Sequence, residues 1–211
     1  MRTVTSIMRR GRKVLEDFNL LKVLQSEISH EVSNPRFQDV ETGQLGGFKV
    51  DWDSPDSQDV VLRRKCDTGE EIVISALLWG DPSVAVYPVF PRQALVKVFI
   101  KKPGLSSTLQ FDCRVSQTGS SSSDFTINSA SFLRSLSSAR SSSAYNGPLF
   151  STLDIKLELA LKQYLESRGI SEGLTNFIVY HLHKKEQDQY VVWLRRLEST
   201  VARSLGSSHD G

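Results

Sequence analysis

The chain has 211 residues, 39% hydrophobic and 24% charged, which suffices for a sizeable core and excludes disorder throughout. Its longest apolar runs, such as Val73 to Trp79, are too short to cross a membrane as a helix, and two cysteines make no disulfide framework. The net charge of +2 hides an asymmetry: five bases and no acid precede Glu16, and the rest of the chain sets 21 bases against 24 acids, a net of −3.

The opening stretch, MRTVTSIMRRGRK, is rich in Arg and hydroxyl groups and free of acids. On a helical wheel Val4, Ile7 and Met8 share one side and Arg2 and Arg9 lie opposite. That is the composition of a mitochondrial targeting segment over residues 1–13. The competing reading is a basic arm that touches anionic lipid or nucleic acid. A structural helix is predicted next, over Val14 to Val32. Val14, Phe18, Leu21, Ile28 and Val32 form its apolar stripe, broadened by Leu20 and Leu24. Asn34-Pro35 ends it, because a residue before proline is pushed out of the helical region.

The middle of the chain changes character. FKVDWD, DVVLRRKC, EEIVISALLWG, ALVKVFIKK, STLQFDCRV and DFTINSASFL are short β-branched or aromatic stretches with partial alternation. Turn signals separate them: Gly46-Gly47, Ser54-Pro55-Asp56, Asp67-Thr68-Gly69, Gly80-Asp81-Pro82 and Pro103-Gly104. Asp67-Thr68-Gly69-Glu70 reads as a tight hairpin. Strands joined by short turns, with no helix between them, predict an antiparallel meander.

Asp51, Asp53, Asp56 and Asp59 form an acidic stretch without a base. It reads either as a partner-binding rim or as a solvated strand end and turn. The serine runs Ser120–Ser123 and Ser141–Ser143 read as loops of low order. Cys66 and Cys113 both lie in strand-like stretches and read as small, half-buried residues; a redox pair would need those two strands to be neighbours. The histidines lack metal-ligand spacing, since His181 and His183 point in different directions on a helix, and all four read as solvated or structural.

Two amphipathic helices are predicted at the end, joined at Arg168-Gly169-Ile170-Ser171. Leu153, Leu157, Ala160, Leu161 and Tyr164 give the face of the first. Leu174, Phe177, Ile178 and Leu182, then Tyr190, Trp193, Leu194, Leu197 and Val201, give the second. Gly169 suits a left-handed cap and Ser171 an N-cap. Lys184-Lys185 reads as a solvated face, and residues 205–211 as a disordered tail. The pattern is α+β: one helix, antiparallel strands, then two helices that must together cover a sheet face. One domain over 14–204 is expected.

No nucleophile elbow, phosphate-binding glycine loop, metal pattern or dinucleotide fingerprint is present. Gly43-Gln44-Leu45-Gly46-Gly47 precedes a strand, not a helix, so it offers no helix N-terminus to a phosphate. Without a site, a fold licenses no activity; a non-enzymatic protein without cofactor is expected.

Three stretches carry a family resemblance: LLKVLQSEISHE in the first helix, LQFDC in a strand, and YNGPLFSTLD with LALKQYLESRGISEGLTNFI and QDQYVVWLRRLESTV at the end. In their order and spacing the chain resembles the mitochondrial glycoprotein family, also called the mitochondrial acidic matrix protein family, over nearly everything after residue 13. The resemblance implies a twisted antiparallel sheet of about seven strands, flanked by one N-terminal and two C-terminal helices. It implies that the first and last helices pair as a coiled coil, and that three copies form a ring-shaped homotrimer. By function it implies a non-enzymatic, multi-ligand scaffold or chaperone-like adaptor of the mitochondrial matrix, linked to mitochondrial translation, ribosome assembly or oxidative phosphorylation. Its partners would be basic mitochondrial proteins or ribonucleoprotein components, held by surface charge. One departure is the body charge of −3, where the family is strongly acidic. The alternative is a direct single-stranded nucleic-acid binder using Arg63-Arg64-Lys65 and the Lys97, Phe99, Lys101 row of one strand face.

Overall fold

A computed structural model describes residues 2–33, 45–79, 93–117, 122–133, 145 and 147–206. Helix α1 spans Arg2–Ser33, so the helix expected from Val14 begins twelve residues earlier. Six strands follow: β1 Lys49–Asp53, β2 Asp59–Lys65, β3 Glu71–Trp79, β4 Gln93–Lys101, β5 Thr108–Gln117 and β6 Ser123–Leu133. A 3-10 turn at Phe150–Thr152 leads into α2, Ile155–Glu166, and then α3, Glu172–Gly206. The strands are those read from the residues. The seventh strand implied by the resemblance is not found among the described residues, so the count is corrected to six. The ends of the Asn34-Pro35 break, the Gly80-Asp81-Pro82 turn, Ser141–Ser143 and most of the predicted tail lie outside the described residues.

The sheet order is β1-β2-β3-β4-β5-β6, every pair antiparallel, as the meander required. The β2–β3 hairpin closes where predicted. Gly69 takes a left-handed φ of 80°, its N–H donates to the Cys66 carbonyl at 2.9 Å, and Cys66 N–H donates to Glu70 at the same distance.

The chain divides into two compact units, which α3 joins: residues 40–183, and residues 1–39 with 184–211. In the first, alternation puts Val60, Leu62, Ile72, Ile74, Ala76, Val96, Val98, Ile100, Phe111, Cys113 and Val115 on one sheet face. That face is buried against Leu165 of α2 and Leu174, Phe177, Ile178, Val179 and Leu182 of α3. Asp154 caps α2, its carboxylate accepting from Lys156 N–H at 2.9 Å. Ser122 and Ser123 are ordered, against expectation. Ser123 is buried at the start of β6, with its hydroxyl 2.8 Å from that of Thr175, and Ser122 donates to Glu172 at 2.7 Å. Each hydroxyl is satisfied by a side chain in the first turns of α3, which ties the start of β6 to that helix.

In the second unit α1 and α3 run side by side and antiparallel. Gln187 donates to Glu31 at 3.3 Å, Tyr190 to Glu27 at 3.2 Å, and Gln25 to Glu198 at 3.1 Å, so partner numbers fall as α1 numbers rise. Among the described residues, Leu24, 6% exposed, and Leu194, 3% exposed, are the buried apolar residues of this pair. Lys185, expected on a solvated face, is only 8% exposed. A lysine can bury its four-carbon stem along apolar surface, which charge alone does not reveal.

Candidate interaction surface

The sheet has a second face, opposite the helices of its unit. It carries Val61 on β2, Val73, Leu77 and Trp79 on β3, and Leu95 and Phe99 on β4, all half-buried. The register sets Val73 against Phe99 and Leu77 against Leu95. An antiparallel sheet that meets water alternates apolar with polar. These central strands set Val73, Leu77, Trp79, Leu95 and Phe99 on this face among Glu71, Ser75, Gln93, Lys97 and Lys101, so part of it is more apolar than a solvated sheet face requires.

Charge frames the apolar centre. Lys97 and Lys101 are exposed beside Phe99, so the Lys-Phe-Lys row read from the sequence does share one face. Each lysine stands opposite an acid in the ladder, Lys97 across from Asp112 and Lys101 across from Glu71. Arg63 is committed elsewhere: it donates to Asp51 at 2.8 and 2.9 Å and to Glu71 at 2.6 Å. These two hydrogen-bonded carboxylates raise its pKa further, and its guanidinium in turn holds Asp51 below the ordinary carboxylate range. Arg64 lies towards the other face, above the Phe48 ring, and donates to the Arg168 carbonyl at 3.1 Å. The three consecutive bases are therefore not one patch.

The four aspartates lie at one end of the sheet but differ in environment. Asp51 and Asp53 are on β1 and exposed, Asp56 is exposed in the following turn, and Asp59 opens β2, half-buried. Asp51 is paired with Arg63. Asp53 meets His181 of α3 at 2.7 Å, and the imidazole stacks on Phe177 with centroids 5.4 Å apart. Asp59 accepts from Ser57 Oγ at 2.7 Å. The charge of Asp51 is thus largely compensated from inside the fold. Sequence reasoning missed both partners. For Arg63 a signal existed: a hairpin closed at Asp67–Gly69 puts it diagonally across from Glu71. For His181 none did, because it is 128 positions from Asp53.

The turn between α2 and α3 is held to the sheet by two arginines. Arg168 pairs with Glu70 at 3.0 Å and lies flat on the Tyr164 ring, 3.5 Å from its centroid. Gly169 has φ 88°, the left-handed cap predicted, and Arg64 packs against its bare Cα. The ESRGI stretch is accordingly a packing device. Cys66 follows β2 and Cys113 lies in β5, with β3 and β4 between them in the sheet, and both are free thiols; no redox pair can form between them.

Comparison with known proteins places this architecture. A family model described as mitochondrial glycoprotein matches residues 91–201. An uncharacterised mitochondrial protein of Arabidopsis thaliana is 26% identical over 197 residues, covering 88% of this chain and 75% of that protein. Two solved structures share the fold. One is a Leishmania major protein of unknown function, described as a sequence homologue of human p32, with TM-score 0.68 and 22% identity over 88% of this chain and 99% of that one. The other is the Trypanosoma brucei p22 protein, with TM-score 0.66 and 23% identity over 89% and 99%. With the family model covering more than half of its residues, and the sheet and helix order in agreement, the chain belongs to the mitochondrial glycoprotein family.

Proposed function

We propose that this chain is a non-enzymatic, multi-ligand adaptor or chaperone-like scaffold of the mitochondrial matrix, assembled as a homotrimer with α1 and α3 as its coiled-coil element. It binds basic mitochondrial proteins or ribonucleoprotein components, in support of mitochondrial translation, ribosome assembly or oxidative phosphorylation. The observation that carries the reading is the second sheet face, whose apolar centre on β3 and β4 suits a protein surface better than water. Family membership supports the mitochondrial setting. Asp51, Asp53, Asp56 and Asp59 are the candidate contacts for cationic partners, two of them already engaged within the fold, Asp51 by Arg63 and Asp53 by His181.

Direct nucleic-acid binding is the weaker reading, since the lysines of the Lys-Phe-Lys row stand opposite acids and Arg63 is tied to two carboxylates. One salt titration separates the two. The immobilised chain is offered a Lys/Arg-rich peptide and a single-stranded oligonucleotide of mixed sequence. The expected result is retention of the peptide, weakening as salt rises, with the oligonucleotide passing through. Retention of the oligonucleotide alone, with a steep salt slope, would replace the adaptor reading by the nucleic-acid one. In the same preparation light scattering should report three times the 23.6 kDa chain mass; a single chain mass would end the trimer reading.

A further inference from the structure

The second sheet face carries an arginine that no acid of the described residues meets. Arg114 lies on β5, half-buried, with Leu95 opposite it on β4 and Thr126 opposite it on β6. Its guanidinium leans across β4 to the Trp79 ring of β3, with Cζ 4.9 Å from the ring centroid. A guanidinium stacked on an indole is held flat and keeps its in-plane N–H groups for an acceptor. Among the described residues it has none: the Arg114 side chain makes no hydrogen bond or ion pair, and its Nε is buried without a partner. Gln93 Oε1, on β4 across from Trp79, is buried without a partner as well. Two orphaned polar atoms at one corner of a sheet face are more than packing requires. The nearby acids are already engaged. Asp112, two positions along β5, accepts from Gln110 at one oxygen and from Ser129 at the other, both at 2.9 Å. Asp124, two positions before Thr126, has Lys162 at 3.2 Å from each oxygen. The bases of β2 and β4 on this face differ from Arg114, because each stands by an acid. Arg63 bonds Asp51 and Glu71, Lys65 and Lys101 lie across from Glu71, and Lys97 lies across from Asp112.

We propose that Arg114, seated on Trp79, anchors a carboxylate of a partner protein, an Asp or Glu flanked by apolar residues; this rests on the reading of the second sheet face as a protein-contact surface. Two features favour this occupant. The first is charge. A cation without an acid calls for the opposite sign, and the planar guanidinium fork matches the two oxygens of a carboxylate. The second is the setting. Leu77, Leu95 and Arg114 stand in one row across β3, β4 and β5, with Trp79 beside them. Apolar residues on either side of the partner's acid would cover that row and exclude water, which strengthens the ion pair. A nucleic-acid strand fits less well. Its phosphates recur along the backbone and need a track of bases, whereas the bases of β2 and β4 stand by acids. The anchor is also distinct from the acidic end of the sheet at Asp51 to Asp59, so a partner that is basic overall can engage both.

The test uses the full chain and a display library of random peptides. Peptides selected on the parent are expected to be enriched in Asp or Glu next to apolar residues. One such peptide, synthesised with a fluorophore, reports affinity by anisotropy. Arg114→Gln should weaken it by about tenfold or more, the loss of a hydrogen bond to a charged group. Arg114→Lys should weaken it less, since it keeps the charge without the fork. Changing the peptide's acid to its amide should weaken binding to the parent by a similar factor and make little further difference on Arg114→Gln, as expected of a direct pair. Circular dichroism confirms folding. If Arg114→Gln does not fold, Arg114→Lys and the acid-to-amide exchange carry the test. Selected peptides that are apolar but not acidic would overturn the inference while sparing the protein-contact reading. An acidic peptide that binds Arg114→Gln as tightly as the parent would do the same. A parent that selects no peptide would overturn both, and a mixed-sequence single-stranded oligonucleotide bound by the parent but not by Arg114→Gln would then assign Arg114 to nucleic acid.

Discussion

Single residues decide how the turn between α2 and α3 is held. Gly169 combines a left-handed backbone with an arginine packed against it, so Gly169→Ala should cost about 1–2 kcal/mol from the backbone alone, with the collision against Arg64 in addition. Denaturant unfolding of the single variants and of Gly169→Ala with Arg64→Ala separates the two contributions. The double variant should lose less than the sum, because removing Arg64 also removes the collision. Cys113 allows a pH test with a definite sign. Burial in the sheet core, aided by the nearby Asp112 charge, pushes its thiol up to about 12. In the unfolded chain a thiol ionises near about 8.5. Between those values the unfolded state has released a proton that the folded state keeps, so stability is full below the lower value and declines as pH rises through the window. Cys113→Ala should flatten that alkaline decline, measured as melting temperature against pH. A thiol reagent at pH 8 should modify only Cys66 in the folded chain and both thiols in denaturant. The glycine cap was legible in the sequence because the left-handed region restricts residue choice so strongly. The Arg63–Asp51–Glu71 cluster and the His181–Asp53 pair were not, since charged side chains find partners through tertiary geometry that leaves no periodic trace.

At the scale of elements, periodicity told where the strands and helices lie but not which of two adjacent stripes on α3 faces α1. By spacing, Trp193, Leu197 and Val201 should pack against Leu21, Leu24 and Ile28, with Trp193, the largest of them, as the anchor. The structure puts Leu194 in the seam and leaves Trp193 more than half exposed, a correction that follows from α3 carrying apolar residues over a wide arc. Neighbouring positions on a helix differ by about 100°, so exchanging two residues in the reading rotates the assigned face by more than a quarter turn. Leu194→Ala should therefore destabilise by about 2–5 kcal/mol in thermal or denaturant melts. Trp193→Ala should cost clearly less in any form of the chain that does not assemble. If it costs as much when assembly is intact, the difference reports the contact between copies. Lys185 cannot serve as a neutral control, as its burial makes truncation a packing change. Arg195, exposed on α3, is the better one, with an expected change within about 0.5 kcal/mol.

For the whole molecule, the fold class was legible because each strand declared itself by β-branched residues and each junction by a turn signal. The seventh strand came only with the resemblance, and the division into two compact units is a matter of tertiary contact that no local pattern records. The reach of α1 carries a further consequence for the basic opening segment. In the antiparallel register set by Glu31–Gln187 and Glu27–Tyr190, the last residue of α3, Gly206, comes level with Arg12 or Gly11 of α1. The helix continues to Arg2, so about three turns of it, at 3.6 residues each, run past the end of their partner. Those turns hold most of the five early bases and no acid. Most helical stability in proteins comes from tertiary contact, and a segment that serves as a targeting signal is dispensable to the fold. Deleting residues 2–13 should therefore leave the melting temperature and the assembled mass essentially unchanged. The same deletion should abolish mitochondrial import of a fluorescent fusion, if the segment is the targeting signal its composition suggests. A fusion imported equally well without it would assign the basic turns to another task. A large loss of thermal stability would show instead that they pack within the assembly, and the α1–α3 register would then need extending beyond Gly206.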